Sequence, residues 1–584
     1  MQRKQNNGLF SDFVVDLIVP FVTTIVFFIA VYVCFGFYWG WIDDVYFNGV
    51  LSGRYYGEPL TSLFTRVVVF WPDAIVSLSS TFPKLNWYGV MLYTYLFISC
   101  WLINLAANAF LRRSGVSFLN RLLLLLAFNL VAMGELTYMI TFTSVAIISV
   151  GTAFATLKRS KSKICWLLIL PFLLSGLAIR PEAAALLSPL FLASSIKSKG
   201  SRKLSMILLA MFIGLSPFIA EKLNYNEDAK EFQKYHFALQ NILDGQNSES
   251  FDRLVKQDSA RTLALFSWYT GDLDSLLSSN YIKLLNPRSP VSIENLQRAP
   301  SKLKGEINKA KSRYSENYTP SRNWFKKATI SVCFLVAFYL IVGRGQHKRF
   351  QLTLISVFLI TILATSILFK MEYRLFYPGL IITFLLSLPD MRLRRMGPLV
   401  KSGALLLILF MLADRISEYR LTSEDLSREN TAKETFQSNL GHYFTNKILL
   451  FDFLTMSFHS PPIFDSASAK SKGSNTHVVY GEFFSNFSKR HRSYLKELCG
   501  SAALVPFFYC LLERKNDVVF ILTPIRVEMY KLYFKDVYGL DISFKSLDAD
   551  QKPKENTMYS FVWEEIEYDY YMLSDLRPTQ KQLD

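Results

Sequence analysis

The chain has 584 residues, of which 51% are hydrophobic and 15% aromatic, including 49 phenylalanines. A soluble domain of this size does not need so much apolar surface for one core, so the composition predicts a polytopic membrane protein. The formal net charge is +17. Much of the basic excess stands in short clusters between apolar segments, as orientation signals do, and it is no indication of nucleic-acid binding.

The first apolar segment runs from about residue 13 to residue 37, and Asp16 is its only charged residue. It is long enough to cross a hydrocarbon core as a helix. It lacks a small-residue cleavage site, and we therefore expect a retained signal anchor. Asp43 and Asp44 follow directly, which predicts two carboxylates at a membrane surface. Ionisable groups at that depth are costly and usually have a function.

Apolar segments predict about eleven spans, several of them short enough to be tilted or partly re-entrant. With the N-terminus in the cytoplasm, every basic cluster between them falls on the cytoplasmic side. The region between Pro59 and Pro83 is predicted as an interfacial helix, with a short or broken span as the alternative. The spans lie at about 13–37, 87–111, 119–134, 138–157, 164–179, 183–196, 204–221, 327–343, 350–370, 375–390 and 399–415.

The predicted fold is a polytopic α-helical membrane protein with a helical extracytoplasmic insert and a small C-terminal extracytoplasmic α/β domain. Short apolar runs at 448–451 and 518–522 predict buried strands in that last domain, and 526–538 predicts a helix. Four regions follow: a transmembrane core at 1–221, the insert at 222–326, C-terminal transmembrane helices at 327–415 and the α/β domain at 416–584.

Other residue types limit which donors, metal ions and disulfides the protein can have. No phosphate-binding glycine loop of the Walker or dinucleotide type is present, which argues against ATP or nucleotide-sugar donors. The histidines show no metal-ligand spacing. Cys499 and Cys510 stand in a polar region and can pair if that region is outside the cytoplasm; two free thiols are the alternative.

Charged residues at the predicted outer ends of the spans form the most informative set, because the topology places them at one level of the membrane. Such groups normally face a bundle interior, which predicts a shared cavity. There a carboxylate can accept a proton from a hydroxyl group, and guanidinium groups can bind a leaving phosphate. The set contains Asp43, Asp44, Arg54, Arg66, Glu135, Arg180, Glu182, Glu372 and Arg374.

The acidic pair just after the first span resembles the GT-C class of integral-membrane glycosyltransferases, and the likeness covers roughly the first 415 residues. The order of later motifs is also similar to that of bacterial multi-span proteins associated with surface polysaccharide. These motifs are Asp43 to Phe47, Ser52 to Pro59, Arg180-Pro181-Glu182, Trp268 to Asp272, and Tyr373-Arg374 followed by Pro378.

The resemblance implies a multi-pass protein of a bacterial cytoplasmic (inner) membrane. It would move a sugar from a polyprenyl-phosphate donor to an extracytoplasmic glycan, lipid or protein, with inversion at the anomeric centre. Asp44 or Asp43 would be the catalytic base. A divalent cation, Mg or Mn, is required by some members and not by others. Phosphate contacts are expected from Arg180, Arg374, Arg54 and Arg66, and substrate contacts from Glu135, Tyr138, Glu182, Trp268, Asp272 and Tyr373.

Each assignment has a structural alternative. The aspartates can cap a helix, Arg180 can form an ion pair with Glu182, and Trp268 can pack the insert onto the membrane domain. Two other functions compete with glycosyl transfer. A surface-polysaccharide polymerase or ligase would use arginines and a histidine such as His236, whereas a transporter or flippase usually shows repeated halves, and none is found.

Overall fold

We describe a computed structural model of the protein. The predicted insert lies almost entirely outside the residues that the structure describes, as does the predicted span at 327–343. The described residues are 2–39, 42–51, 68, 70–160, 162–198, 200–223, 260, 345–368, 373–388, 398–451, 476–479, 489–553, 557–560 and 564–579.

Helices lie at most of the predicted apolar segments before the C-terminal sheet, although α1 begins eleven residues earlier than predicted and the segment at 183–196 is divided between two helices. Two strands of two residues, β1 Tyr38–Trp39 and β2 Met139–Ile140, pair in parallel between them. The helices are α1 Gln2–Phe35, α2 Ile42–Leu51, α3 Phe70–Thr81, α4 Trp87–Arg113, α5 Phe118–Ala132, α6 Gly134–Tyr138, α7 Phe142–Arg159, α8 Lys163–Ile179, α9 Pro181–Ala185, α10 Ser188–Ser195, α11 Ser201–Leu223, α12 Gly345–Leu368, α13 Tyr373–Ser387 and α14 Pro398–Tyr443.

Three helices in the described part of the chain are long and apolar enough to cross a membrane, namely Leu17–Phe35, Trp87–Arg113 and Ser201–Ala220. Helix α8 and the following segment Pro181–Ser195 pass the same test together, although they are bent by 114° at Arg180. These helices agree with a membrane protein. The larger number of about eleven spans stays a prediction.

Helix α7 lies at the centre of the bundle. Every residue from Phe142 to Ala155 is buried, as expected for an apolar helix that has neighbours on all sides. It packs against α4, α8 and α13. The predicted span began at residue 138, but the helix begins at Phe142 because Met139 and Ile140 form β2.

Glycine allows α7 to approach α13 closely. A Cβ atom at Gly151 would overlap Cγ1 and Cδ1 of Ile382. Ile382 is fully buried and β-branched, so its side chain has little freedom to turn away. The position therefore requires glycine even though glycine weakens a helix.

Gly151→Ala is expected to lower stability by about 1–3 kcal/mol through overpacking, against the usual gain for alanine in a helix. Thermal unfolding of the purified protein in detergent measures the change. Ile382→Ala removes the conflicting side chain, so adding it to Gly151→Ala should cost less than the sum of the two single substitutions. If the stability losses of the two single substitutions were strictly additive, the close approach of the two helices would be contradicted.

Helix α14 is 46 residues long, and the predicted domain boundary between 415 and 416 falls inside it. Its N-terminal part carries the apolar segment predicted at 399–415. The rest continues as a polar helix with a narrow buried stripe that includes Tyr419, Phe436 and Leu440. One helix therefore leads without a break from the bundle to the C-terminal region.

The C-terminal region contains a mixed five-stranded sheet in the order β4-β3-β5-β9-β6. Strand β3 is parallel to β4 and β5, whereas β9 is antiparallel to β5 and β6. The strands predicted at 448–451 and 518–522 are confirmed as β3 and β5. The elements are β3 Ile448–Phe451, β4 Thr476–Val479, α15 Lys489–Cys499, α16 Leu504–Glu513, β5 Val518–Leu522, α17 Pro524–Tyr538, β6 Leu540–Ser546, β7 Thr557–Ser560, β8 Glu564–Glu567 and β9 Asp569–Pro578.

Both faces of the sheet are covered, which explains why β3 and β5 are apolar at every position. Alternate residues point to opposite faces. Leu449 and Phe451 belong to the core that α14 shares with the helical bundle, whereas Ile448 and Leu450 pack with α16 and α17. The sheet is thus held between α14 and the C-terminal helices.

Cys499 and Cys510 form a disulfide that joins the end of α15 to α16. The sequence left pairing and free thiols open, and the structure shows the pair. An eleven-residue separation closes a short loop, which restricts the unfolded chain.

Replacing both cysteines by serine is expected to lower the stability of the C-terminal region by about 3 kcal/mol. Reductant should have the same effect on the wild type and no further effect on the variant, measured by thermal unfolding. Cys34→Ser, at an exposed free cysteine, is the control. Reaction of Cys499 and Cys510 with maleimide in untreated protein would refute the bridge.

Candidate functional site

The candidate site is built around the N-terminus of α7. Thr141 is the N-cap residue, and its hydroxyl oxygen accepts a hydrogen bond from the amide of Ser144 at 3.2 Å. The Thr141 hydroxyl also donates to Oγ of Ser144 at 2.9 Å. A helix begins with amides that have no partner inside the helix, and this end is buried, so the protein must supply acceptors.

Asp44 supplies one of the acceptors for the amides at the N-terminus of α7. Its side chain is fully buried in α2, and Oδ1 accepts hydrogen bonds from the amide of Phe142 and from the hydroxyl of Tyr88, each at 2.9 Å. A carboxylate is favoured at this place because the N-terminus of a helix carries a partial positive charge. Asp44 thus joins α2, α4 and α7.

Aromatic rings pack against both residues that donate to this carboxylate. The ring of Phe47 lies edge-on to Phe142, with centroids 5.2 Å apart. Trp39 and Trp71 both contact the ring of Tyr88, at centroid distances of 5.4 Å and 5.9 Å. In such an apolar setting an ionic hydrogen bond is stronger than in water.

Arg180 approaches the same helix end from the break between α8 and α9. Its guanidinium group is buried, donates a hydrogen bond to Oγ1 of Thr143, and lies 4.9 Å from the ring centroid of Phe142. Asp44 and Arg180 therefore bind consecutive residues of α7. An acid and a guanidinium group from distant parts of the chain meet at one helix terminus.

Glu135 and Tyr138 lie in the short helix α6 and are both buried. The hydroxyl of Tyr93 donates to the carbonyl oxygen of Thr137 at 2.8 Å, which fixes this turn on α4. Strand β2 follows at once and pairs with β1, where Trp39 lies opposite Ile140. The turn with Glu135 is consequently tied to the segment that leads to Asp44.

The other predicted site residues lie in α2, α9 and α13 or outside the described residues. Glu182 lies in the first turn of α9, and its side chain is exposed. Tyr373 and Arg374 begin α13, and the Tyr377 hydroxyl donates to the carbonyl oxygen of Val131 at 2.6 Å, so this helix start lies near the end of α5. Asp43 belongs to α2. The side chains of Asp43, Tyr373 and Arg374, and all of Arg54, Arg66, Trp268 and Asp272, lie outside the described residues.

Two contacts of the site are absent from the sequence prediction. Tyr88 lies within the predicted span at 87–111, and nothing in the sequence indicates that its hydroxyl contacts Asp44. Thr143 likewise lies within a predicted apolar segment, at 138–157. The run Thr141-Phe142-Thr143-Ser144 does contain the hydroxyl residues typical of a helix start, and that signal would have located the N-terminus of α7.

Within the described ranges, no three His, Cys, Asp or Glu side chains are grouped so that they could hold a metal ion. Comparison of the chain with protein-family models, with curated proteins and with solved structures finds no match. Its function must therefore be inferred from the site itself.

Asp44→Ala is expected to destabilise the protein by about 1–3 kcal/mol, because the Phe142 amide and the Tyr88 hydroxyl lose a buried acceptor. Asp44→Asn keeps a carbonyl oxygen and should cost clearly less. Tyr88→Phe removes one donor and should cost about 1 kcal/mol. Thermal unfolding in detergent gives all three values, and an equal loss for the Ala and Asn variants would argue against this role of Oδ1.

Proposed function

We propose that the protein is an inverting GT-C type glycosyltransferase that moves a sugar from a polyprenyl-phosphate donor to an extracytoplasmic glycan, lipid or protein acceptor. The observation that supports this most is the meeting of Asp44 and Arg180 at the N-terminus of α7. These two residue types are the ones that the transfer requires, a base for the acceptor and a cation for the leaving phosphate.

In the proposed reaction the acceptor hydroxyl oxygen attacks the anomeric carbon from the side opposite the phosphate. The bond between the anomeric carbon and the phosphate oxygen breaks as the new glycosidic bond forms, and the configuration inverts. The acceptor proton passes to the carboxylate of Asp44 or Asp43. Arg180 and, by the resemblance, Arg374 stabilise the negative charge that develops on the polyprenyl phosphate.

The side chains around a small cleft next to the site are mostly apolar, which suits a lipid-linked donor better than a soluble one. It is lined by residues of α7, α9, α12 and α13, among them Ile147, Ala183, Phe358 and Leu375. Ala183 is three residues beyond Arg180, and Leu375 follows Arg374. The cleft has a volume of about 10 Å³, which is room for one water molecule, so in this proposal a prenyl chain lies along the apolar side chains at its mouth and not inside it.

The charge pattern supports an extracytoplasmic reaction. At the end of the bundle away from Asp44, α7 ends with Lys158 and Arg159 and α11 begins with Arg202 and Lys203, while the other end of α11 carries Lys222 alone. Basic loops mark the cytoplasmic side of membrane proteins. The site would then face the outer side of a bacterial cytoplasmic membrane, where polyprenyl-phosphate sugars serve as donors. The alternatives of a polymerase or ligase and of a lipid-linked sugar transporter share this topology.

The test is sugar transfer in vesicles that contain the purified protein, a panel of polyprenyl-phosphate sugars and native surface glycan. Asp43→Asn or Asp44→Asn should lower the rate by about 10²–10⁴-fold if that residue is the base. Arg180→Gln should also lower it. Asp73→Asn, an exposed aspartate of α3, is the matched control and should keep the wild-type rate.

The anomeric configuration of the product, read by nuclear magnetic resonance, tests inversion separately. If the wild-type protein consumes none of the donors, glycosyl transfer is contradicted. Full activity of both Asn variants would show that the acidic pair only supports the fold. Movement of intact donor across the membrane without transfer would favour the transporter.

A further inference from the structure

The buried face of α2 carries a second polar side chain next to Asp44. Asp44 and Phe47 both contact Phe142 at the start of α7. Asn48 is fully buried, yet among the described residues neither Oδ1 nor Nδ2 of its amide has a hydrogen-bond partner. Four buried side chains recur on this face at the spacing of helical turns, namely Asp44, Phe47, Asn48 and Leu51.

An amide without a partner is costly at the position of Asn48. Burial of a donor or an acceptor that makes no hydrogen bond lowers stability, and most buried polar groups in proteins are paired. Leucine has a similar size and would avoid this cost. Residues that break such a rule are expected at functional sites, where a ligand provides the missing partners. Asn48 stands one helical turn from the proposed base.

A second group of this kind lies near the same carboxylate. The ring of Trp71 contacts that of Tyr88, whose hydroxyl donates to Oδ1 of Asp44. Trp71 is 3% exposed, and its Nε1 also lacks a hydrogen-bond partner within the described part of the chain. A buried indole N–H group usually has a partner. The surroundings of Asp44 therefore offer hydrogen-bonding groups that the fold itself does not require.

A substrate that reaches Asp44 also reaches Asn48. The proposed transfer requires a hydroxyl group of the acceptor to contact Asp44, whose side chain is as fully buried as that of Asn48. Residues four apart lie on the same face of a helix, with their Cβ atoms about 5–6 Å apart. The movement that admits the acceptor to the carboxylate therefore exposes the amide to the same molecule.

The amide of Asn48 indicates which kind of acceptor fits. It offers one acceptor oxygen and two N–H donors. An alkyl chain would bond to none of them, and a phosphate dianion has no donor for Oδ1. A hydroxyl group both donates and accepts, so it can bond to either end of the amide. A sugar ring carries further hydroxyls beside the reacting one, whereas the side chain of a serine carries only one.

We propose that Asn48 binds a ring hydroxyl of the acceptor next to the hydroxyl that Asp44 deprotonates, so that the acceptor is a sugar. This inference rests on the proposed glycosyl transfer with Asp44 as the base, and it selects sugar-bearing acceptors over protein side chains. Asn48 takes no proton. The attacking oxygen loses its proton to Asp44 and bonds to the anomeric carbon as the phosphate leaves. Nε1 of Trp71 donates to another hydroxyl of the same ring.

The first experiment does not depend on transfer. Thermal unfolding is measured on the full-length protein in a detergent without a sugar headgroup. Asn48→Leu should raise the unfolding temperature by about 1–3 °C, because it removes a buried amide that has no partner. A lower unfolding temperature would show that the amide supports the fold, and would overturn the site.

Gln351→Leu in α12 is the matched control. Gln351 is fully buried, and both atoms of its amide likewise lack partners among the described residues. The adjacent Phe350 contacts Lys158 at the end of α7 away from Asp44. The control should therefore also raise the unfolding temperature, but it should leave transfer at the wild-type rate.

The second experiment measures transfer to octyl glycosides and to their monodeoxy analogues, from the panel of polyprenyl-phosphate sugars. With the wild type, loss of the hydroxyl next to the attacked one should raise the KM for the acceptor by about 10-fold. Asn48→Leu should raise it equally with the parent glycoside and add nothing with that analogue, because one interaction is removed in both cases. The KM for the donor should stay unchanged. If the variant does not fold, the analogues still give the answer with the wild type.

The outcomes separate this inference from the proposed function. Transfer that is equally efficient with the parent glycoside and all its analogues would overturn the role of Asn48 and leave glycosyl transfer standing. A preference for a serine-containing peptide over every glycoside would do the same. Transfer to no acceptor would contradict the proposed function. Thermal stabilisation by octyl glycosides then decides on the sugar site: an effect on the wild type but not on Asn48→Leu supports it, and no effect on either overturns it.

Discussion

The burial of α7 on all sides from Phe142 to Ala155 is the constraint on which the rest of the structure depends. A helix that has protein on every side cannot leave its first amides to water, so acceptors must come from other segments. Thr141 caps from within, and Asp44 reaches the amide of Phe142 from the chain that follows α1. The break at Arg180 places a cation beside the next residue, Thr143. The fold therefore assembles the candidate site as it satisfies this helix end.

Helix α14 connects this helix end to the C-terminal sheet. Tyr419 is fully buried, its ring lies 5.0 Å from that of Tyr138, and its hydroxyl donates to the carbonyl oxygen of Leu130 at 3.0 Å. A Cβ atom at Gly134 would lie 2.7 Å from the ring of Tyr419. Further along, Phe436 packs on strands of the sheet. The sheet thus extends from the end of the bundle that contains Asp44.

The sequence predicts local features of this fold far better than its long-range contacts. Apolar runs identify the helices and the two buried strands because burial selects for them. The polar half of α14 escapes prediction since its buried stripe is narrow. The acidic pair and Arg180 stand out as charges near apolar segments, but their meeting at Phe142 and Thr143 depends on how α2 and α8 pack. Tyr88 shows no signal because tyrosine is common in apolar helices.

The two ends of α7 explain why acidic and basic side chains lie at opposite ends of the bundle. The partial positive charge at the N-terminus of α7 is met by Asp44, and the partial negative charge at its C-terminus by Lys158 and Arg159 in the last turn. Arg202 donates a hydrogen bond to the carbonyl oxygen of Leu157 at that end. A carboxylate at the basic end, or a lysine in place of Asp44, would oppose the helix dipole. The polarity of one buried helix therefore favours a carboxylate at its N-terminal end and basic side chains at its C-terminal end.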